Sequence, residues 1–115
     1  GLDMRTFISV IILMFSSVLF AANADTAPVW LDVRTAEEFN SGHIEGAINI
    51  PHTEIAQRIG ELNLDKATPI SLYCKSGRRA GIALGILTEM GYSDVTNAGG
   101  YEAIKQKLAD DNERQ

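Results

Sequence analysis

Apolar and polar positions are arranged along this chain in short blocks that predict strands and helices in alternation. Four short apolar runs predict strands, at residues 29–33, 47–50, 70–73 and 94–97. Three longer stretches carry apolar residues at helical spacing, at residues 54–62, 79–90 and 101–109. Because strands and helices alternate, we expect an α/β fold with a parallel sheet and helices on both of its faces.

Local signals predict where two of the helices begin and end. Thr35 and Glu38 form a capping-box pattern, so a short helix should begin after Thr35 and stop at Gly42. The helix over 79–90 is followed directly by Gly91, and a glycine commonly ends a helix at this position. The apolar face of that helix is predicted to consist of Ile82, Ala83, Ile86, Leu87 and Met90.

The N-terminal residues have a different pattern from the rest of the chain. A basic start at Met4-Arg5 precedes an apolar run over 7–22, and Ala22-Asn23-Ala24 follows as an A-x-A cleavage pattern. These three parts are typical of a secretory signal, so we assign residues 4–24 to a signal peptide and expect export to the periplasm without lasting membrane association. A retained membrane anchor is the alternative, although the apolar run is shorter than the roughly 20 residues that span a bilayer.

Length and composition predict a single globular domain over the remaining residues, 25–115. Of the 115 residues, 45% are hydrophobic and 22% are charged, which argues against disorder. The net charge of −5 disfavours nucleic-acid binding, because a phosphate-binding surface needs an excess of lysine and arginine. Any anionic ligand must therefore be held by a local cluster of positive charge.

The single cysteine, Cys74, stands in such a cluster. It follows the predicted strand over 70–73, and a loop with Lys75, Arg78 and Arg79 leads from it directly into a helix. Ligands of open α/β sheets bind beyond the C-terminal ends of the strands, and the N–H groups of a turn into a helix form an anion-binding cradle. Helix N-termini and nearby cations also lower the pKa of a thiol, so the pattern predicts a reactive thiolate. A buried core cysteine is the alternative interpretation.

Other conspicuous residues have structural interpretations. Asp32 and Arg34 end the first strand near the predicted site, and we expect an ion pair or loop support there rather than direct catalysis. His43 is expected to be a hydrogen-bonded turn residue. Gly99-Gly100 should let the backbone approach the Cys74 loop closely. Two histidines and one cysteine at these spacings match no metal site, so neither a metal nor another cofactor is expected.

Several motifs of this chain together resemble the rhodanese homology domain. They are Leu31-Asp32-Val33-Arg34, Glu37-Glu38-Phe39, the segment 42–51 with the sequence GHIEGAINIP, Tyr73-Cys74-Lys75-Ser76-Gly77-Arg78, and Gly99-Gly100. The resemblance runs from about Trp30 to Ile104. It implies a four-strand parallel sheet of order 4-3-1-2, because the strand and helix that begin the family's five-strand sheet have no counterpart before Trp30.

The resemblance also implies an activity. The family carries sulfur on the cysteine that heads the loop, which is Cys74 here. The substrate pocket would be lined by the residues that follow, namely Lys75, Ser76, Gly77, Arg78 and Arg79. The implied reaction moves the outer sulfur of thiosulfate through a persulfide on Cys74 to cyanide or to a thiol acceptor, in a protein that we expect to be monomeric.

Two other functions compete with this one. Related cysteine-dependent phosphatases and arsenate reductases have a longer loop with an arginine six positions after the cysteine, whereas Ala80 stands there in this chain and Arg79 closes the loop. A phosphate needs more room than one added sulfur atom, so loop length disfavours this class. The second alternative is a persulfide carrier or binding module that delivers sulfur to a protein partner.

Overall fold

Four parallel strands form the centre of the fold in the computed structural model, which describes residues 27–113. The strands are β1 (Val29–Asp32), β2 (Ile48–Asn49), β3 (Ile70–Cys74) and β4 (Val95–Gly100). Their order across the sheet is β2-β1-β3-β4, and all neighbouring pairs are parallel. This confirms the predicted order 4-3-1-2, which is the same sheet described from its other edge.

Helices connect and cover these strands. They are α1 (Ala36–Asn40), α2 (Ile55–Arg58), α3 (Arg78–Glu89) and α4 (Tyr101–Glu113). The helix predicted over 54–62 is divided, because 3-10 turns at His52–Glu54 and Ile59–Leu62 flank a single α-helical turn. Gly60 lies in the second 3-10 turn, where its low helix propensity weakens a continuous α-helix.

The predicted helix caps are confirmed. The N–H of Glu38 donates to the Oγ1 of Thr35 at 3.2 Å, and the N–H of Thr35 donates to the Oε1 of Glu38 at 3.0 Å, which completes the capping box of α1. Helix α3 ends where Gly91 adopts a φ of +100°, and the N–H of Tyr92 donates to the carbonyl of Leu87 at 3.1 Å. This bond closes a Schellman motif, which leaves the following chain free to turn back toward β4.

The core lies on both faces of the sheet. On one face, α2 and α3 pack against β1 and β3 through Leu31, Ile55, Ile59, Leu72, Ala80, Ala83 and Leu87. On the other face, α4 packs its buried Ile104 beside Tyr73 and Ile44. Both faces of the central strand β3 are therefore covered, as expected for a parallel sheet.

The predicted apolar face of α3 is partly wrong. Ala83 and Leu87 are buried as predicted, but the exposed fractions of Ile82 and Met90 are 42% and 38%. The buried stripe instead includes Ala80, so it is rotated around the helix and leaves Ile82 on the opposite side. Met90 is the C-cap residue and lies at the very end of the helix.

The fourth strand is longer than the predicted 94–97 and contains a β-bulge. Leu72 pairs with Asn97 and Tyr73 pairs with Gly99, so Ala98 is the extra residue. Gly99 has a φ of +100°, a conformation that side chains disfavour, and the strand then continues to Gly100. Glycines that were predicted to follow the strand thus form its end.

Gly100 lies directly against the loop that follows β3. A Cβ atom added at Gly100 would stand 2.5 Å from the carbonyl oxygen of Lys75. The predicted close approach of backbone is therefore confirmed at Gly100, because no other residue fits this space without displacing the loop.

One sequence prediction concerns the N-terminal residues. The predicted signal peptide over 4–24 lies outside the described residues. Within residues 27–113, no helix has the length and apolar character needed to cross a membrane.

The contact at Gly100 predicts the effect of a single methyl group. We expect Gly100→Ala to lower the free energy of unfolding by about 1–3 kcal/mol, because the added Cβ overpacks the contact with Lys75. Gly85→Ala is the matched control, since an added Cβ at this exposed position of α3 has no neighbour within 4 Å. It should leave stability unchanged or raise it by up to about 1 kcal/mol. Urea unfolding of both variants measures the difference, and equal stability of the two would contradict the contact.

Candidate active site

Cys74 is the last residue of β3, and only Lys75, Ser76 and Gly77 separate it from helix α3. Gly77 is the N-cap residue of α3, and its φ of +99° is a left-handed conformation that favours glycine. In this conformation the N–H of Gly77 donates to the Sγ of Cys74 at 2.9 Å. The loop therefore turns its backbone donors inward, onto the sulfur.

The thiol of Cys74 is buried and yet acidic. The exposed fraction of the residue is 1%, and burial alone raises the pKa of the thiol. Backbone N–H groups outweigh the burial and lower the pKa of Cys74 below its ordinary value; they belong to Ala80, Ser76, Gly77 and Arg79. The thiolate is thus stabilised more by backbone N–H groups at the start of α3 than by the neighbouring cations. This agrees with the effect predicted for a helix N-terminus.

The three cations of the loop have different surroundings. Lys75 and Arg78 are exposed. The side chain of Arg79 is 18% exposed, and its guanidinium donates to both carboxylate oxygens of Glu38, at 2.8 and 3.0 Å. The bond from Arg79 lowers the pKa of Glu38 to about 2, although burial acts in the opposite direction. Two of the three predicted cations are thus exposed at the surface, and the third is paired.

Asp32 and Arg34 form a buried ion pair beside this loop. The Nε of Arg34 lies 3.0 Å from the Oδ1 of Asp32, and the Nη2 lies 2.6 Å from the Oδ2. Arg34 also donates to the carbonyl of Gly42 at 2.6 Å, and its guanidinium lies 4.5 Å from the ring centroid of Tyr101. The predicted ion pair is present, and it ties the segment after β1 to the turn at Gly42.

His43 lies in that turn, as the sequence suggests. Its Nδ1 is 2.9 Å from the carbonyl oxygen of Phe39, and its ring stacks on the ring of Phe39 with centroids 3.7 Å apart. These local contacts fix the end of α1.

Asn97 contacts the loop, and this contact was not predicted from the sequence. Its Nδ2 donates to the carbonyl of Gly77 at 2.9 Å, and its Oδ1 accepts from the N–H of Gly99 at 2.9 Å. The amide therefore joins the β-bulge to the residue whose N–H contacts Cys74. A polar residue in a predicted strand gives no signal of such a role.

A cleft of about 250 Å³ opens beside the loop. Its walls are formed by Arg34, Glu38, Ser41, Lys75, Tyr101 and Glu102. Both signs of charge occur in these walls, so the cleft is polar without being uniformly positive.

The arrangement has the parts of a nucleophilic site. A thiol with a lowered pKa supplies a thiolate, and thiolates attack sulfur and carbon electrophiles. Fixed N–H donors around the sulfur stabilise negative charge on it, or on an atom bound to it, without reorganisation.

The chain is similar in sequence to known proteins of one family. The family model described as a rhodanese-like domain matches residues 18–107. The thiosulfate sulfurtransferase PspE of Escherichia coli (strain K12) is 45% identical over 92 residues, which cover 80% of this chain and 84% of the relative. The thiosulfate sulfurtransferase GlpE of Shewanella oneidensis is 35% identical over 74 residues, which cover 64% of this chain and 71% of the relative.

A solved structure has the same fold. It is described as a rhodanese with anions from E. coli, is 46% identical, and superposes with a TM-score of 0.63 over 66% of this chain and 89% of its own. The family model alone matches well over half of the sequence and includes every strand of the sheet. This chain therefore belongs to the rhodanese-like domain family.

Proposed function

We propose that this chain is a thiosulfate sulfurtransferase that carries sulfur as a persulfide on Cys74. The observation that carries the proposal is the buried sulfur of Cys74, which accepts a hydrogen bond from the N–H of Gly77 at 2.9 Å; the pKa of this thiol is lowered. Relatives named thiosulfate sulfurtransferase, at up to 45% identity, support the choice of reaction and of donor.

The proposed reaction has two steps. The thiolate of Cys74 attacks the outer sulfur of thiosulfate, a new S–S bond forms, and the S–S bond of thiosulfate breaks to release sulfite with the bonding electron pair. The persulfide anion left on Cys74 is then attacked at its outer sulfur by cyanide or by a thiolate. Thiocyanate or a new persulfide leaves, and the Cys74 thiolate returns. Each step balances without a cofactor, and the scheme predicts ping-pong kinetics.

The loop would stabilise the negative charge in both steps. The N–H groups that lower the pKa of Cys74 are placed to bind the charged outer sulfur of a persulfide, where preorganised donors contribute most to the rate. Lys75 and Arg78 are exposed and are proposed to attract the sulfonate end of thiosulfate. Ser76 and Gly77 act through their backbone, and Gly77 already contacts the sulfur.

Asp32 and Arg34 are proposed to support the site rather than to react. Their charges neutralise each other in a buried, bidentate pair, so the pair as a whole presents little net charge to an anion. Removing one partner of a buried pair leaves the other charge uncompensated at a cost of about 3–5 kcal/mol. The expected effect of such a change is therefore loss of stability together with activity.

A periplasmic location is part of the proposal. The sequence pattern over 4–24 supports it, with its basic start, apolar run and A-x-A site.

The central prediction concerns the persulfide. Incubation with thiosulfate should add the mass of one sulfur atom to the protein, and cyanide should remove it. Cys74→Ser should abolish both the added mass and the turnover, because Cys74 is the single cysteine of the chain. Intact-mass spectrometry and a thiocyanate assay measure the two effects. Unfolding midpoints of both proteins serve as the control, and turnover by a folded Cys74→Ser protein would contradict the mechanism.

The same assay separates the enzyme from a carrier. A persulfide that forms on Cys74 and transfers to cyanide or to a small thiol at catalytic rates supports the enzyme. A persulfide that forms but leaves only to a protein acceptor would overturn the proposed use of small acceptors.

The acidity of the thiol gives a second prediction. The rate of alkylation of Cys74 should rise to half of its maximum at a lower pH in the folded protein than in the unfolded chain. The sign follows from the lowered pKa, since the reactive thiolate forms at lower pH than in an unfolded chain. The urea-unfolded protein is the matched control, because its single cysteine has lost the loop. A half-maximum at or above that of the unfolded chain would contradict the site.

Export gives a third prediction. Mature protein recovered from bacterial cells should begin near Asp25 and fractionate with the periplasm. N-terminal sequencing of the fractionated protein makes the measurement. A membrane-bound species that retains residues 4–24 would instead support the anchor.

A further inference from the structure

The ion pair between Glu38 and Arg79 connects two parts of the chain that meet at the active-site loop. Glu38 lies on α1, and Arg79 is the second residue of α3. Both terminal guanidinium nitrogens of Arg79 donate to the carboxylate, at 2.8 and 3.0 Å. Bidentate pairs of this kind fix direction as well as distance, so the side chain of Arg79 has one defined position.

Glu38 is itself held in place by the cap of its helix. Its Oε1 accepts from the N–H of Thr35 at 3.0 Å and from the Oγ1 of Thr35 at 3.2 Å, while its own N–H donates to that hydroxyl. The carboxylate is therefore oriented before Arg79 binds to it. A preorganised acceptor loses less side-chain entropy in the pair than a freely rotating one does.

The position of Arg79 matters because of what its backbone does. Its N–H is one of the groups that lower the pKa of Cys74, together with the N–H of Ala80 beside it. The charge of its side chain also interacts with Cys74. A guanidinium without a partner here would add a full positive charge to an anion site built from backbone donors.

We propose that Glu38 is a positioning residue for sulfur transfer, which fixes the guanidinium of Arg79 beside the loop and neutralises its charge, so that backbone N–H groups bind the sulfur anion. This inference deepens the proposed function and rests on it. The exposed cations Lys75 and Arg78 remain to attract the donor from solution.

The proposal has a chemical rationale in the two steps of the reaction. Sulfite must leave after the first step, and a fully charged arginine beside the loop would retain this anion. A neutralised Arg79 also weakens binding of other oxyanions, such as phosphate and sulfate. The other charged pair near Arg79, Asp32 with Arg34, is unchanged in every variant below and contributes equally to each.

The experiment measures the pKa of Cys74 by alkylation against pH in four proteins. They are the unmodified protein, Glu38→Gln, Arg79→Gln and the double variant. Glutamine at position 38 retains the capping box, because Gln serves at this position as Glu does. The assay needs no sulfur transfer, so it stands even if the proposed function fails.

The expected shifts have opposite signs. Glu38→Gln leaves Arg79 charged and unpaired, which should lower the pKa of Cys74 by about 0.3–1 unit, or about two- to tenfold in thiol acidity. Arg79→Gln leaves the carboxylate unpaired, which should raise the pKa by a similar amount. The double variant has neither charge and should lie close to the unmodified protein. Glu37→Gln, at the exposed neighbouring position, is the matched control and should shift the pKa of Cys74 by less than either single variant.

Inhibition by inorganic phosphate is the second measurement. Competition with thiosulfate should become several-fold stronger in Glu38→Gln and should return toward the original value in the double variant. The kcat for sulfur transfer in Glu38→Gln should fall while KM for thiosulfate falls with it, because a freed Arg79 binds the donor and retains sulfite.

Other results would overturn the inference. If both single variants raise the pKa of Cys74 toward the free-thiol value, the pair only keeps the loop folded. If neither variant shifts the pKa, the charge of Arg79 does not act on the sulfur. If the two single variants shift the pKa of Cys74 in opposite directions but the protein has no sulfurtransferase turnover, the inference that Glu38 neutralises Arg79 stands. Only the proposed function is then refuted.

Discussion

A sulfur anion is stable inside this fold only where N–H groups point toward it, and the start of helix α3 supplies these groups. The residue Cys74 is 1% exposed, so water cannot solvate a charge on its sulfur. The N–H of Gly77 contacts the sulfur at 2.9 Å, and the first turn of α3 adds further donors. Every other feature around the loop can be understood from the need to hold this turn above the end of β3.

The neighbouring strand carries much of that task. The bulge at Ala98 displaces the end of β4, so that Gly100 lies against the backbone of Lys75. Asn97, just before the bulge, bonds to the carbonyl of Gly77 from the same side. The loop is thus held on one side by a strand and on the other by the Glu38–Arg79 pair, and both contacts keep its N–H groups in place.

The features that were readable from sequence are those whose signals are local. The capping box at Thr35 and Glu38, the glycine end of α3 at Gly91, and the succession of strand, cysteine and helix at Cys74 each lie within a few residues. The alternation of strands and helices along the chain was sufficient to predict a parallel sheet. The strand order and the activity were predicted from the family resemblance instead.

The features that were not readable depend on contacts between distant residues. Glu38 and Arg79 are 41 positions apart, and a sequence gives the charge of Arg79 without the partner that neutralises it. Asn97 and Gly77 are 20 positions apart, and their bond depends on a bulge that composition does not reveal. The exposure of Ile82 follows from the rotation of α3 on the sheet, which is set by small residues such as Ala80 and Ala83 that permit close packing.

The burial of Cys74 has a further consequence for a chain whose sequence contains a single cysteine. A disulfide between two chains requires their sulfur atoms to approach to about 2.05 Å with a defined dihedral angle. The sulfur of Cys74 is buried next to its own loop. The folded surface of a second chain is far broader than a small anion and cannot approach such a sulfur as closely. Two copies of this domain therefore cannot be cross-linked through Cys74 unless the loop opens, and the same backbone that makes the thiol acidic keeps it from being lost to interchain oxidation.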